Sequence, residues 1–186
     1  MINKVSHVFN FINFHALSIL VVCETWLSIN TPSSFVELPG FKFFRSDSGD
    51  SVRKHGVGVY ISNKLTPSEN IMVMKNTLVI YLKEWCVYLV AIYRPPSYSD
   101  ADNDHLIEII HQYCFGKNVI LLGDLNLPSL KWSEEYTLNG YVTPLDQKFY
   151  EVFLECGLNQ WIREGTFFPS GNILDLIFTS EPDSVG

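Results

Sequence analysis

The runs "TLVIYLK" (77–83) and "CVYLVAIY" (86–93) constrain the fold more than any other stretch of the chain. Both are dense in β-branched and aromatic residues, which suit a pleated, packed surface. Only Glu84 and Trp85 separate them, so the two runs are expected to pair as a hairpin. The following "RPPSYSD" (94–100) stops the sheet, because Pro95 and Pro96 lack an amide donor and hold the residue before each extended. A chain carrying this hairpin must build a sheet and cover its faces.

The rest of the pattern supplies the cover. Val5, Val8, Phe9 and Ile12 recur at helical spacing and predict an amphipathic helix over 3–15. In "LSILVVCETWL" (17–27), Ser18–Cys23 reads as a strand buried on both faces. "FKFFRSD" (41–47) and "GVGVYIS" (56–62) read as strands, with a turn at Arg53–Gly56 between them. Asp100–Cys114 predicts a helix with Leu106, Ile109, Ile110 and Tyr113 on one face and acids in its first turn. Val119–Gly123 reads as a strand, Asp146–Cys156 as a helix ended by Gly157, and 173–180 as the last strand. Helices and strands mix without strict βαβ alternation, which points to an α/β layered sandwich. No linker stands out, so residues 1–186 are expected to form a single domain.

Apolar residues make up 47% of the chain and charged residues 18%, a globular balance. A net charge of −7 argues against a general polyanion binder. It leaves room for nucleic acid at a site where a cation offsets local carboxylates. Cys23, Cys86, Cys114 and Cys156 are far apart and lack zinc spacing, so they are expected to be reduced and mostly buried in an intracellular protein, nuclear or cytoplasmic. Asn10, Asn13 and His15 interrupt any signal-peptide core, and Ala16–Val22 is too short to span a bilayer, so no membrane role is expected.

Two apolar strands share a design. Val21-Val22-Cys23 ends at Glu24, and Ile120-Leu121-Leu122-Gly123 ends at Asp124 with Asn126 beyond. Were those strands neighbours, the three polar residues would meet at one sheet edge, as a hard divalent cation and a phosphodiester require. The bland alternative is a loop cap at Glu24 and an Asx turn at Asp124 and Asn126. Tyr93 reads equally as a half-buried strand tyrosine, and Arg94 as the partner of a surface acid. Asp175 lies between Leu174 and Leu176 and alternates away from both, and a carboxylate in an apolar strand needs a partner.

Five segments occur in order: "CETWLS" (23–28), "AIYRPPS" (91–97), "LLGDLNLPSLKW" (121–132), "GTFF" (165–168) and "ILDLIFTS" (173–180). Together they resemble the endonuclease/exonuclease/phosphatase superfamily, and most of all the apurinic-type endonuclease domain of non-LTR (LINE-type) retrotransposons. The resemblance implies a two-sheet, DNase I-like α/β sandwich and Mg²⁺-dependent (or Mn²⁺-dependent) nicking of DNA. It implies that Glu24 binds metal, that Tyr93 contacts phosphate, that Asp124 assists the nucleophile or leaving group and that Asn126 orients phosphate. It further implies that Asp175 pairs with a catalytic histidine, that Thr166 lies near the substrate phosphate, and that Trp132 packs; read from the residues alone, Arg94 is a further candidate phosphate contact.

Two family pieces have no counterpart here: an Asn-x-Arg-Ser-like strand before "INKV" (2–5) and a Ser-Asp-His run after "LDLIFTS" (174–180). The sandwich is therefore expected to be incomplete at its N- and C-terminal strands, with weak or absent turnover and self-association through exposed sheet edges. His7, His15, His55, His105 and His111 all precede Asp175 and read as surface or core-edge residues. Two other readings stand beside a nuclease: a non-catalytic remnant or interaction protein keeping the fold, and a lipid or inositol-phosphate phosphodiesterase of the same superfamily.

Overall fold

The computed structural model describes residues 1–47, 55–132 and 141–180. Chain contacts divide it into two units, Met1–Tyr93 and Arg94–Gly186.

In the first unit, α1 (Val5–Phe14) is followed by β1 (Ile19–Cys23), β2 (Phe41–Ser46), β3 (Val57–Ser62), β4 (Met72–Met74), β5 (Thr77–Leu82) and β6 (Val87–Tyr93). β3 lies between β1 and β2, antiparallel to both. β4, β5 and β6 form a second antiparallel set in chain order. The expected hairpin is β5–β6, in register from Thr77 opposite Ile92 to Leu82 opposite Val87. β3 is buried along its whole length, and β5 and β6 nearly so, because β3, central in its set, packs on β5 and β6.

β1 departs from expectation. All five of its residues are half-buried rather than enclosed. Its apolar run matches a central strand, but among the described strands it pairs only with β3, so its outer edge is uncovered. Leu20 and Val22 pack with Val5, Val8 and Phe9 of α1 around Ile12, Leu38 and Tyr60. Tyr60 is fully buried and donates its hydroxyl to the Val36 carbonyl at 2.6 Å. Burial pushes its phenol up to about 12. At Gly58 beside it, a Cβ would lie 2.5 Å from the Phe43 ring, which would have to shift to admit one. Arg53 and Lys54 of the expected turn lie outside the described residues.

In the second unit, α2 (Asp100–Cys114) has the predicted limits. Ser99 and Asp102 form a reciprocal capping box that satisfies its first amides. β7 (Val119–Asp124) runs one residue past the predicted end. α3 (Pro144–Glu155) begins two residues early, because Thr143 caps it through the Asp146 amide and Pro144 suits the first helical position. Gly157 follows in the left-handed conformation, as a helix stop requires. β8 (Leu158–Gln160) and β9 (Asp175–Ser180) complete the unit, with β9 antiparallel between β7 and β8. Phe178 of β9 is fully buried, 4.4 Å from the Phe153 ring and 5.7 Å from Trp132 between ring centroids, so Trp132 is a packing residue.

The cysteines are all free; Cys114 and Cys156 are buried, Cys23 half-buried and Cys86 exposed. Among the described residues no helix is long and apolar enough to cross a membrane.

Truncating Phe178 removes the ring on which Phe153 and Trp132 meet. Phe178→Ala is expected to lower stability by about 3–5 kcal/mol, read as a shift in the urea unfolding midpoint at unchanged slope.

Candidate active site

The predicted residues fall at strand ends, where the ladder stops and side chains are released from pairing. In the first unit, Glu24 directly follows β1 and Tyr93 closes β6. The Tyr93 hydroxyl donates to Glu24 Oε1 at 2.7 Å. Tyr93 is only 2% exposed whereas Glu24 is exposed, so a rigid phenol fixes a solvent-facing carboxylate. Glu24 adopts φ 52°, a left-handed backbone that a non-glycine residue holds only when its surroundings demand it. Those surroundings are the next two amides: Thr25 N–H bonds the Gly56 carbonyl at 3.2 Å and Trp26 N–H the His55 carbonyl at 3.0 Å.

Asn76 completes this set, and the sequence reading passed it over. It is 2% exposed, in the left-handed region at φ 52°. Its Oδ1 accepts from Gly56 N–H at 3.1 Å, and its carbonyl accepts from Tyr93 N–H at 2.9 Å. One residue thus ties the approach to β3 to the end of β6. The available signal was "KN" (75–76) between two strand-like runs, a two-residue turn with Asn where positive φ is needed.

In the second unit, the β7–β9 register sets Asp124 directly opposite Asp175. Leu125 N–H continues the ladder to the Leu174 carbonyl at 3.0 Å. Asp175 is exposed while Leu176 is buried, so the expected alternation holds. Thr166 Oγ1 accepts from the Leu174 and Asp175 amides at 2.9 and 3.0 Å, fixing the start of β9. Asn126 N–H donates to Asp124 Oδ1 at 3.1 Å. The Asx turn offered as the bland alternative is therefore present, and it is what holds both residues in place.

Arg94 was expected to contact phosphate. Instead it is 4% exposed and built into the protein beneath this turn. Its Nε donates to Asn103 Oδ1 at 2.7 Å, and Nη1 donates to the carbonyls of Leu125 and Asn126 at 3.2 and 2.9 Å. The guanidinium sits over the Phe149 ring, 5.3 Å from its centroid. The Arg94 backbone joins in: its N–H bonds the Asp124 carbonyl at 2.8 Å, and its carbonyl accepts from Asn126 Nδ2 at 2.9 Å. Desolvation pulls the Arg94 pKa down, and the charges of Asp146, Tyr98 and Asp124 oppose that shift.

Asn103 and Asp146 are buried as well, and neither was singled out from the sequence. Asp146 Oδ2 accepts from the Ser129 amide at 3.0 Å and from its hydroxyl at 2.7 Å, anchoring the chain that leaves the turn. The signal for Asn103 was its place three residues before Leu106 on the apolar face of α2.

The structure thus brings Glu24 together with Tyr93, and separately links Arg94, Asp124 and Asn126 with Asp175 and Thr166. Exposed carboxylates, a fixed amide and a hydroxyl are the donors and acceptors that phosphoryl chemistry uses.

Residues 87–185 match the family described as endonuclease-reverse transcriptase. No curated protein matches the chain. Among solved structures, the AP endonuclease of Leishmania major is similar at TM-score 0.71 and 12% identity, covering 96% of this chain and 74% of that one. The endonuclease domain of TRAS1, a telomere-specific non-LTR retrotransposon, is similar at TM-score 0.70 and 14% identity, covering 96% and 79%. The catalytic domain of Xenopus laevis APE2 is similar at TM-score 0.63 and 11% identity, with the same two coverages. These likenesses establish the fold, a DNase I-like α/β architecture with two sheets, as the sequence resemblance implied.

Two substitutions separate support from chemistry. Arg94→Ala strands the Asn103 oxygen and two loop carbonyls, and should lower stability by about 3–5 kcal/mol in chemical denaturation. Asp175→Asn removes a like charge opposite Asp124 and should raise stability by about 0.2–1 kcal/mol, a gain that shrinks in 1 M salt, about where screening falls to 3 Å.

Proposed function

The chain belongs to the endonuclease-reverse transcriptase family, and we propose that its reaction is Mg²⁺-dependent hydrolysis of a DNA phosphodiester, leaving a nick in one strand. The observation that carries this reading is the opposed pair Asp124 and Asp175, next to an Asn126 amide locked by Arg94. Opposed carboxylates are a poor choice for packing and a good one for handling protons.

Each residue then has a task. Asp124, with Oδ1 oriented by Asn126 N–H, moves the proton of the attacking water or of the leaving oxygen. Asn126 presents its amide to the phosphate in an orientation set by the Arg94 carbonyl. Thr166 holds Asp175 in position through two backbone bonds and lies beside the substrate phosphate. Tyr93 orients the Glu24 carboxylate and contacts phosphate from a buried, rigid base.

Magnesium fits the donor chemistry. Glu24 is exposed at a cavity of about 650 Å³ lined also by Lys4, Val22, Cys23 and Trp26. A small hard cation takes one or two carboxylates and keeps its waters, whereas among the described residues no group of three or more His, Cys, Asp or Glu side chains could hold a metal ion. Bound there, it would supply charge neutralisation of the phosphate.

The test is relaxation of supercoiled plasmid with Mg²⁺ or Mn²⁺ against a chelator control, with an inositol-phosphate substrate in parallel. Nicking is expected, reduced by about 100-fold or more in Asp124→Asn at matched folding. A folded wild-type chain that leaves plasmid intact would replace this reading with a non-catalytic remnant. Turnover of the inositol phosphate alone would replace it with the phosphodiesterase reading.

A further inference from the structure

The geometry points to Trp26 as a stacking platform for an unpaired nucleobase of DNA, which makes the cavity beside Glu24 a nucleotide subsite. The substrate class rests on the nuclease reading above. The presentation of the indole does not.

Trp26 is held out in water by a fixed backbone. Residues 24–27 alternate sharply: Glu24 is exposed, Thr25 is 0% exposed, Trp26 55% and Leu27 0%. Thr25 and Leu27 anchor the chain on either side, and the carboxylate and the indole are left outside. Thr25 N–H bonds the Gly56 carbonyl at 3.2 Å, Trp26 N–H the His55 carbonyl at 3.0 Å, and Leu27 N–H the Thr25 hydroxyl at 3.5 Å. Trp26 itself takes φ 54°, a left-handed conformation that a bulky residue adopts only at a cost. A turn with no use for the indole would be better served by glycine or asparagine there.

The indole has a space in which to act. Trp26, Glu24, Val22, Cys23 and Lys4 line one cavity of about 650 Å³. Small-ligand sites commonly measure about 300–1,000 Å³. The lining combines an exposed aromatic side chain, the exposed Lys4 ammonium and the exposed Glu24 carboxylate. A nucleotide calls for an aromatic face under its base and a cation near its phosphate. A base inside a duplex is already stacked on both sides, so the indole favours one that is unpaired. The other tryptophans are placed differently. Trp132 packs on Phe178, the Trp161 indole donates to Thr179 Oγ1 at 2.7 Å, and Trp85 stands in the β5–β6 turn, where exposure is ordinary.

The experiment uses the full chain in Ca²⁺ at low salt, so that binding is read whether or not cleavage occurs. Two fluorescein-labelled DNA duplexes are compared, one fully matched and one carrying a short unpaired bulge. Fluorescence anisotropy is expected to show the wild type binding the bulged duplex about 5- to 150-fold more tightly. That preference should be lost in Trp26→Ala and in Trp26→Leu, largely kept in Trp26→Phe, and unchanged in Trp85→Ala. A merely structural role would treat leucine and phenylalanine alike. In a second measurement the bulged duplex should quench wild-type tryptophan emission, and most of the quenching should vanish in Trp26→Phe, which removes only this indole. A wild-type preference surviving in Trp26→Ala or Trp26→Leu, or undiminished quenching in Trp26→Phe, would overturn the inference. So would a wild type that binds both duplexes equally, or neither. A preference that depends on Trp26 without any nicking of plasmid would sink the nuclease reading and leave this one standing. Nicking without the preference would do the opposite.

Discussion

A buried guanidinium organises the second unit. Arg94 cannot lose its charge at any ordinary pH, so its burial obliges the surrounding chain to supply acceptors. The acceptors are the Asn103 side chain and the carbonyls of Leu125 and Asn126, with the Phe149 face beneath. Two of these belong to the turn that carries Asp124 and Asn126. The turn therefore cannot drift without stranding a charge in a dry environment. A loop anchored this way behaves as part of the core, with Asp124 and Asn126 half-buried on it.

The first unit reaches the same end without a buried charge. Asn76 uses one side-chain oxygen and one backbone oxygen to hold the chain entering β3 and the end of β6. The strain of left-handed backbone at Glu24, Trp26 and Asn76 is concentrated there, close to Tyr93. Non-glycine residues persist in that conformation where neighbouring bonds over-determine it. Here the bonds from Thr25, Trp26 and Gly56 do so.

Local chemistry was readable from the sequence; enclosure was not. The β5–β6 hairpin follows from two β-branched runs and a short spacer, and α2 from its apolar spacing and first-turn acids. β1 was misjudged because an apolar run looks the same in a central strand and in an edge strand covered by a helix on one face. Arg94 was misjudged for a related reason: "IYRPP" reads as the exit from a sheet, where an arginine is normally solvated, and nothing local announces the distant Asn103 and Phe149. Asn76 was passed over because turn residues usually face water. Its burial, with bonds to Gly56 and Tyr93, is a property of tertiary structure that a single run of letters does not carry. The strands β4 and β8 have three residues each, too few for alternation to show.

The placement of Asp124 against Asp175 is the least economical feature of the second unit. Residues directly opposite in an antiparallel pair share a face, and two carboxylates there repel. Repulsion of this kind is tolerable only at the end of a ladder, where the side chains can reach solvent, and that is where the register puts them. Every other directly opposed pair along β7 and β9 includes at least one apolar residue or glycine, so the arrangement is not a habit of this sheet. Around the two acids the protein adds order: a threonine hydroxyl fixes the backbone of one, an asparagine amide orients the other, and a buried arginine fixes the asparagine while its charge attracts Asp124. Stability would be served by replacing Asp175 with an amide. Retaining both accords with the proton transfer proposed for Asp124 beside Asp175.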